Sequence, residues 1–219
     1  MKKLLLITPI LFTVISARAD VVIVQKMESP IITGEVTMKV KGDKSRVDMP
    51  SGPAGAMSMI IDGTTGEMST IMHGQKMVMK ADSKMLKQAA EQAKKVAGDT
   101  AQAKPKATGK TEKVGDWNTE IFEVTMGGMT SKIWVAKDFP NADKVKAEML
   151  KLSKAMGQNP ADAAAMDVPG FPVKTEATLP GGQGKMTTTV TKAVEEAVDA
   201  KEFEVPKDYQ TMNLPTLPK

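Results

Sequence analysis

The sequence contains no cysteine, few aromatic residues and a single histidine, His73. Without cysteine the chain has no disulfides, thiolate metal sites or cysteine nucleophiles, and no N-terminal cysteine to carry a lipid. Nucleophilic triads and most zinc sites need histidine together with partner side chains. The carboxylates fall at predicted turns, at strand ends or in charged stretches, where solvation explains them. We therefore expect no enzymatic activity, no metal site built on histidine and no cofactor.

Arginine is nearly absent after the N-terminal segment, because Arg46 is the only one beyond Arg18. The full chain has 30 basic and 26 acidic residues. Without Lys2, Lys3 and Arg18, 27 basic residues face 26 acidic ones. A nucleic-acid-binding surface needs a clustered excess of positive charge. The sequence therefore predicts no nucleic-acid partner.

The one long apolar run lies at the N-terminus. Two lysines precede an almost wholly apolar stretch at 4–15, and Ala17 and Ala19 are the small residues that a signal peptidase recognises. This pattern predicts a signal peptide over residues 1–19, cleaved before Asp20, and a periplasmic or secreted protein. The run is shorter than the roughly 20 residues of a membrane-spanning helix, so we expect no transmembrane segment after its removal. Residues 20–219 are expected to form a single β-rich domain.

Alternating apolar and polar residues predict strands through most of that domain. Val36, Met38 and Val40 alternate with polar residues, and the sequence at 62–66 is a strong hairpin signal. Residues 84–97 and 141–157 instead have the spacing of amphipathic helices. We interpret residues 98–113 as a flexible loop, so that a lysine- and alanine-rich excursion covers about 83–113, and the tail after 203 lacks a periodic pattern. The predicted fold is mainly β or α+β, with an antiparallel sheet and two helical excursions.

Methionine is unusually frequent, with 18 residues against five phenylalanines, two tryptophans and one tyrosine. Six of the methionines fall in neighbouring predicted strands: Met57, Met59, Met68, Met72, Met77 and Met79. They could fill the core in place of aromatics, form an adaptable apolar pocket, or bind Cu(I) through their thioethers. Strand alternation puts Met77 and Met79 on one face but separates Met72 from His73, which weakens a mixed methionine–histidine copper cluster.

Six short segments, in this order, resemble a known family: GDKSRVD at 42–48, IID at 60–62, HGQKM at 73–77, IWVAKD at 133–138, GFPVK at 170–174 and FEVPKDY at 203–209. The family is an uncharacterised one of exported bacterial proteins, the 4412 domain of unknown function, which is similar to the LolA-like lipoprotein-sorting half-barrels. The resemblance implies a curved, incomplete antiparallel barrel whose concave apolar face is lidded by helices and shelters acyl chains. It also implies that Arg46 helps to hold the lid. The cavities of those carriers are rich in aromatics, whereas this one would be lined with methionine.

The leading hypothesis is a periplasmic, non-enzymatic binding or carrier module that offers an apolar concave surface to a lipid or a lipidated protein. One alternative is a methionine-rich protein that handles Cu(I). The other is an envelope structural or interaction protein without a small ligand. The residues expected to line the concave surface are Met38, Met57, Met59, Met77, Met79, Phe122 and Trp134.

Overall fold

The computed structural model describes residues 20–52, 55–86, 88, 91–92, 104–126, 129–155, 166–179 and 184–213. Within these residues the strands form one sheet of twelve, and the helix α1 (Ala142–Ala155) packs on it. The strands are β1 (Val21–Glu28), β2 (Thr33–Lys41), β3 (Lys44–Gly52), β4 (Gly55–Asp62), β5 (Glu67–Met72), β6 (Met77–Ala81), β7 (Lys106–Val114), β8 (Trp117–Met126), β9 (Met129–Ala136), β10 (Phe171–Thr178), β11 (Lys185–Glu195) and β12 (Gln210–Asn213).

The sheet consists of two meanders that meet at the first strand. Strands β1 to β6 pair in sequence, strands β7 to β11 pair in sequence, and β11 pairs with β1. The pairing is antiparallel except at one edge, where β12 lies parallel to β6. Helical residues follow β6 at 83–86, and α1 follows β9. The prediction of a mainly β, curved antiparallel sheet with two helical excursions is therefore confirmed.

Local turn chemistry explains the hairpins of the first meander. Between β2 and β3, Lys41 pairs with Lys44 across a two-residue turn in which Gly42 has a φ of 59°. Glycine adopts this left-handed conformation without the strain that a Cβ would bring. Between β4 and β5, the Asp62 carboxylate accepts hydrogen bonds from the backbone N–H groups of Thr64 and Thr65 at 2.9 and 3.1 Å. Both hairpins form where the sequence predicts them.

The two faces of the first meander are covered differently. On one face, Val36, Val47 and Ile61 are buried beneath a layer of methionines. The other face presents buried residues of β1, β4, β5 and β6 to residues 196–209, here called the C-terminal strap. That cluster comprises Val22, Ile60, Ile71, Val78, Val198 and Phe203, with Val194, Val205 and Tyr209 packed against it. The strap therefore seals the face opposite the methionines.

The largest core cluster lies under α1 and joins the two meanders. Val145 of the helix and Phe139 before it are buried with Ile23 of β1 and Phe171 of β10. The Phe139 and Phe171 rings stack with their centroids 4.1 Å apart. Among the described residues, no helix is both long and apolar enough to cross a membrane.

Two interpretations of the sequence need correction. Residues 106–113 are not a loop but most of β7, and the tail contains the short strand β12. In β7 only Val114 is buried, because the strand lies at the edge of the sheet and both of its faces are exposed to solvent. Such a strand has no apolar alternation to reveal it. The predicted signal peptide, residues 98–103 and most of the second half of the first predicted helix lie outside the described residues.

Candidate functional site

Strands β1 to β6 and β12 place ten methionines on one face of the sheet. Directly paired residues share a face, and residues two apart in a strand share it as well. The pairings of Met38 with Val47, of Val47 with Met59, and of Met59 with Thr70 fix this face across four strands. We call it the methionine face, and its methionines are Met27, Met38, Met49, Met57, Met59, Met68, Met72, Met77, Met79 and Met212.

Four of these methionines stand directly opposite one another on consecutive strands. Met49 of β3 pairs with Met57 of β4, Met57 pairs with Met72 of β5, and Met72 pairs with Met77 of β6. Opposite residues in antiparallel strands have Cβ atoms about 4.5–5.5 Å apart. We call this set the methionine row. It brings four thioether side chains side by side across the sheet.

The methionines form the outer layer of their face. All are half-buried except Met212, which is 53% exposed, whereas Val36, Val47 and Ile61 of the same face are buried. Unbranched, polarisable thioether side chains fill irregular space and re-pack around different partners. The face therefore combines an apolar character with side chains that can rearrange.

The predicted lining residues are only partly brought together. Met38, Met57, Met59, Met77 and Met79 share the methionine face, as the alternation predicts. Of the two aromatic residues, Trp134 is buried in the cluster under α1, against which Met38 also packs, whereas Phe122 lies in a separate core cluster of the second meander.

Trp134 and Phe122 lie on opposite faces of their own hairpin. Phe122 pairs with Ile133, and Ile121 pairs with Trp134, so the two aromatic side chains point in opposite directions. Trp134 is 5% exposed, donates its indole N–H to Glu112 at 2.8 Å and packs in the cluster under α1. Phe122 is 7% exposed and belongs to a separate cluster. Alternation did not separate Phe122 from the other expected residues because β9, the partner strand, is buried on both faces from 133 to 136 and does not show which face is which.

The prediction also missed half of the methionine face. Met27, Met49, Met68, Met72 and Met212 lie on it but were not among the expected lining residues. Continuing the alternation through the hairpin turns of the first meander would have added Met49, Met68 and Met72, because paired residues stay on one face. No signal in the tail predicted that Met212 would pair opposite Met79.

Arg46 lies on the face opposite the methionines. Its side chain is 17% exposed and donates to the Asp48 carboxylate at 2.8 Å, to the Glu202 backbone carbonyl at 2.7 Å and to the Ser58 hydroxyl at 3.2 Å. The resemblance implied that Arg46 holds a lid over the apolar surface. In the structure it holds the C-terminal strap, and it does not reach the methionine face.

His73 belongs to the polar network that Arg46, Asp48 and Ser58 form on this face. The Ser58 hydroxyl donates to Asp48 at 2.6 Å and lies 2.8 Å from His73 Nε2, while His73 Nδ1 lies 3.2 Å from the Tyr209 hydroxyl. In a nucleophilic triad the carboxylate orients the histidine, and the serine gives its proton to the histidine. Here the carboxylate contacts the serine itself, and Ser58 is only 2% exposed. The arrangement fastens the strap to the sheet rather than presenting a nucleophile.

Comparison with known proteins places the chain in a family. A family model described as "Domain of unknown function (DUF4412)" matches residues 22–209. The chain belongs to the DUF4412 family. The match extends from β1 to Tyr209, so it contains the methionine row, the polar network and the strap. The family predicted from six short segments is thus confirmed. No curated protein matches this DUF4412 chain.

Several solved structures are similar to the DUF4412 protein at low identity. Two crystal forms of PNGF-II are 11% identical with TM-scores of 0.41 and 0.40, and the alignment covers 90% of this chain. This chain spans only about a third of the PNGF-II chains, 31% and 32% of their length. A domain from Vibrio parahaemolyticus, provisionally assigned to outer membrane lipoprotein sorting, is 11% identical with a TM-score of 0.35. That alignment covers 84% of this chain and 89% of the Vibrio domain.

Proposed function

We propose that this DUF4412 protein is an exported, non-enzymatic binding module whose methionine face receives a lipid or a lipidated partner. The unequal covering of the two faces supports this function. Apolar residues opposite the methionines, such as Ile71 and Val78, are fully buried beneath the C-terminal strap. The methionines are half-buried or, at Met212, exposed, so within the described residues of the first meander an apolar ligand gains contact area on that face and not on the opposite one.

The expected affinity follows from the area that such a ligand would bury. Each methylene removed from water contributes about 0.8 kcal/mol. About eight methylenes lying along the methionine face would contribute roughly 6 kcal/mol, which corresponds to a dissociation constant of some tens of micromolar. Binding of this strength is reversible, as a carrier requires.

Export to the periplasm is supported by the first residue after the predicted cleavage site. Asp20 is only 7% exposed, and its carboxylate accepts hydrogen bonds from Lys41 Nζ at 2.7 Å and from the Val198 backbone N–H at 2.9 Å. Cleavage before Asp20 would keep both contacts. Intact-mass measurement of the protein from a periplasmic fraction should give a chain that begins at Asp20, and a mass that includes residues 1–19 would contradict the proposal.

The binding function is tested by changing the polarity of the methionine row without changing its size greatly. We expect the double variant Met57→Gln/Met72→Gln to weaken uptake of a fluorescent fatty acid by about 5- to 30-fold, which corresponds to about 1–2 kcal/mol of lost apolar contact. The matched variant Met57→Leu/Met72→Leu keeps the apolar character and should bind within about threefold of the wild type. Fluorescence titration and native mass spectrometry measure both.

A second control places the same polar change elsewhere. Met166 is half-buried and belongs to none of the twelve strands, so Met166→Gln should leave fatty-acid binding unchanged. Absence of uptake by the wild type, or equal uptake by the wild type and the Gln double variant, would overturn the proposed function.

A further inference from the structure

We infer that the methionine row is a Cu(I)-binding site in which three neighbouring thioether sulfurs bind one ion, those of Met57 and Met72 together with that of Met49 or Met77. This assignment goes beyond the proposed function and does not depend on it. An acyl chain needs only apolar contact, which leucine or isoleucine would also provide. A soft metal ion needs the sulfur atoms themselves.

The register of the sheet supplies the geometry. The four residues belong to consecutive strands and are paired directly with one another. Neighbouring strands lie about 4.7–4.9 Å apart, and each methionine has three rotatable bonds. Three adjacent side chains, such as those of Met57, Met72 and Met77, can therefore turn their sulfurs toward one ion above the middle strand. All four are half-buried, so an ion reaches them from solvent.

The residue types on the two faces of these strands differ in a way that apolar burial does not explain. Half-buried strand positions favour β-branched and aromatic side chains. The opposite face follows that preference, with Ile60, Ile71 and Val78. The row uses methionine at four consecutive cross-strand positions instead. What methionine adds there over isoleucine or valine is a thioether.

The ligand set selects the metal. Thioethers are soft ligands that favour Cu(I), whereas zinc and Cu(II) sites draw on imidazole, thiolate or carboxylate groups. The chain has no cysteine, and its one histidine is held on the opposite face by Ser58 and Tyr209. The row ends at the uncharged Gln210, which pairs with Met77. A site of neutral sulfur ligands follows.

Cu(I) titration of the mature protein against a chromophoric Cu(I) chelator, under anaerobic reducing conditions, tests the assignment. We expect one Cu(I) per chain, with only sulfur in the first coordination shell by X-ray absorption. Met57→Leu/Met72→Leu removes two ligands and should weaken Cu(I) binding by about 100-fold or more, because changes at residues that merely support a ligand already cost about 10- to 100-fold.

The matched control removes two thioethers from the same face outside the row. Met27 pairs with Gly34, and Met68 pairs with Ile61 and Ala81, so Met27→Leu/Met68→Leu should keep the wild-type affinity. The inference would be overturned if the wild type did not bind Cu(I) or if both double variants weakened Cu(I) binding equally. Nitrogen in the coordination shell would overturn it as well. Fatty-acid uptake by the wild type is measured separately, so a chain that takes up fatty acid without binding Cu(I) refutes the copper site alone, and one that binds Cu(I) without taking up fatty acid refutes the binding function alone.

Discussion

Replacement of Arg46 by alanine is the sharpest test of how the C-terminal strap is held. The guanidinium group donates to Asp48, to Ser58 and to the backbone carbonyl of Glu202. Two of these partners belong to the sheet and the third belongs to the strap. Arg46→Ala should therefore both destabilise the fold and loosen the strap from it.

The magnitude follows from the burial of the interacting groups. A hydrogen bond that involves a charged group contributes about 1.5–3 kcal/mol. The side chains of Arg46 and Asp48 are 17% and 31% exposed, so solvent screens part of their attraction. We expect Arg46→Ala to lower the free energy of unfolding by about 2–4 kcal/mol in total, including the cost of leaving Asp48 without its charge partner. A loss of this size lowers the Tm by about 4–16 °C in a domain of this length.

Urea unfolding measures the stability change, and hydrogen exchange of the amides at 196–209 measures the loosening of the strap. Lys39→Ala is the matched control, because Lys39 pairs with the Glu202 carboxylate at 3.0 Å, but the two side chains are 23% and 40% exposed. That ion pair should contribute less than about 1 kcal/mol. A loss below about 0.5 kcal/mol for Arg46→Ala, or unchanged exchange in the strap, would refute this account of Arg46.

Two further changes test other contacts. Burial acts to raise the pKa of Asp20, but hydrogen bonds from Lys41 and a strap N–H outweigh it, so the pKa lies below its ordinary value. Asp20→Asn should therefore cost about 1 kcal/mol near pH 7, and this difference should shrink as the pH falls below about 4, as urea unfolding at several pH values will show. At Gly170, where φ is 136°, an added Cβ would overlap the Ala136 carbonyl, so Gly170→Ala should cost about 3 kcal/mol or more in thermal unfolding. Gly109 has a φ of 71° with open space around it, so Gly109→Ala should cost about 1–2 kcal/mol, and equal losses at both glycines would contradict the overlap.

Alternation predicted the first meander well because its strands carry different residues on their two faces. In β2, Val36, Met38 and Val40 lie on one face and the polar residues Thr37 and Lys39 lie on the other, so the period of two is visible in the sequence. Strand β7 lies at an edge and is polar on both sides, and β9 is buried on both sides from 133 to 136. Neither strand has the contrast that alternation needs, which explains why β7 was missed and why Phe122 was grouped with the methionines.

The contact between the polar network and the strap could not be predicted from the sequence, for a different reason. Arg46, Asp48 and Ser58 share a face through the pairing of β3 with β4, and strand alternation alone predicts that much. Their remaining partner on the strap, Glu202, is separated from Arg46 by 156 residues. No periodicity connects residues at that distance. Only the fold of the tail across the sheet shows that Arg46 faces the strap and not the methionines.

The central position of β1 has a consequence for the order in which the chain acquires its structure. The six strands of the first meander can pair while the chain is still being synthesised, but the far edge of β1 stays open until β11 has emerged. Partners so distant along the chain make closure slow, since a long loop must be ordered before its contacts form. A chain of this topology keeps one edge of its first strand unpaired until residues 185–195 are in place, so the two meanders become one sheet only late in folding.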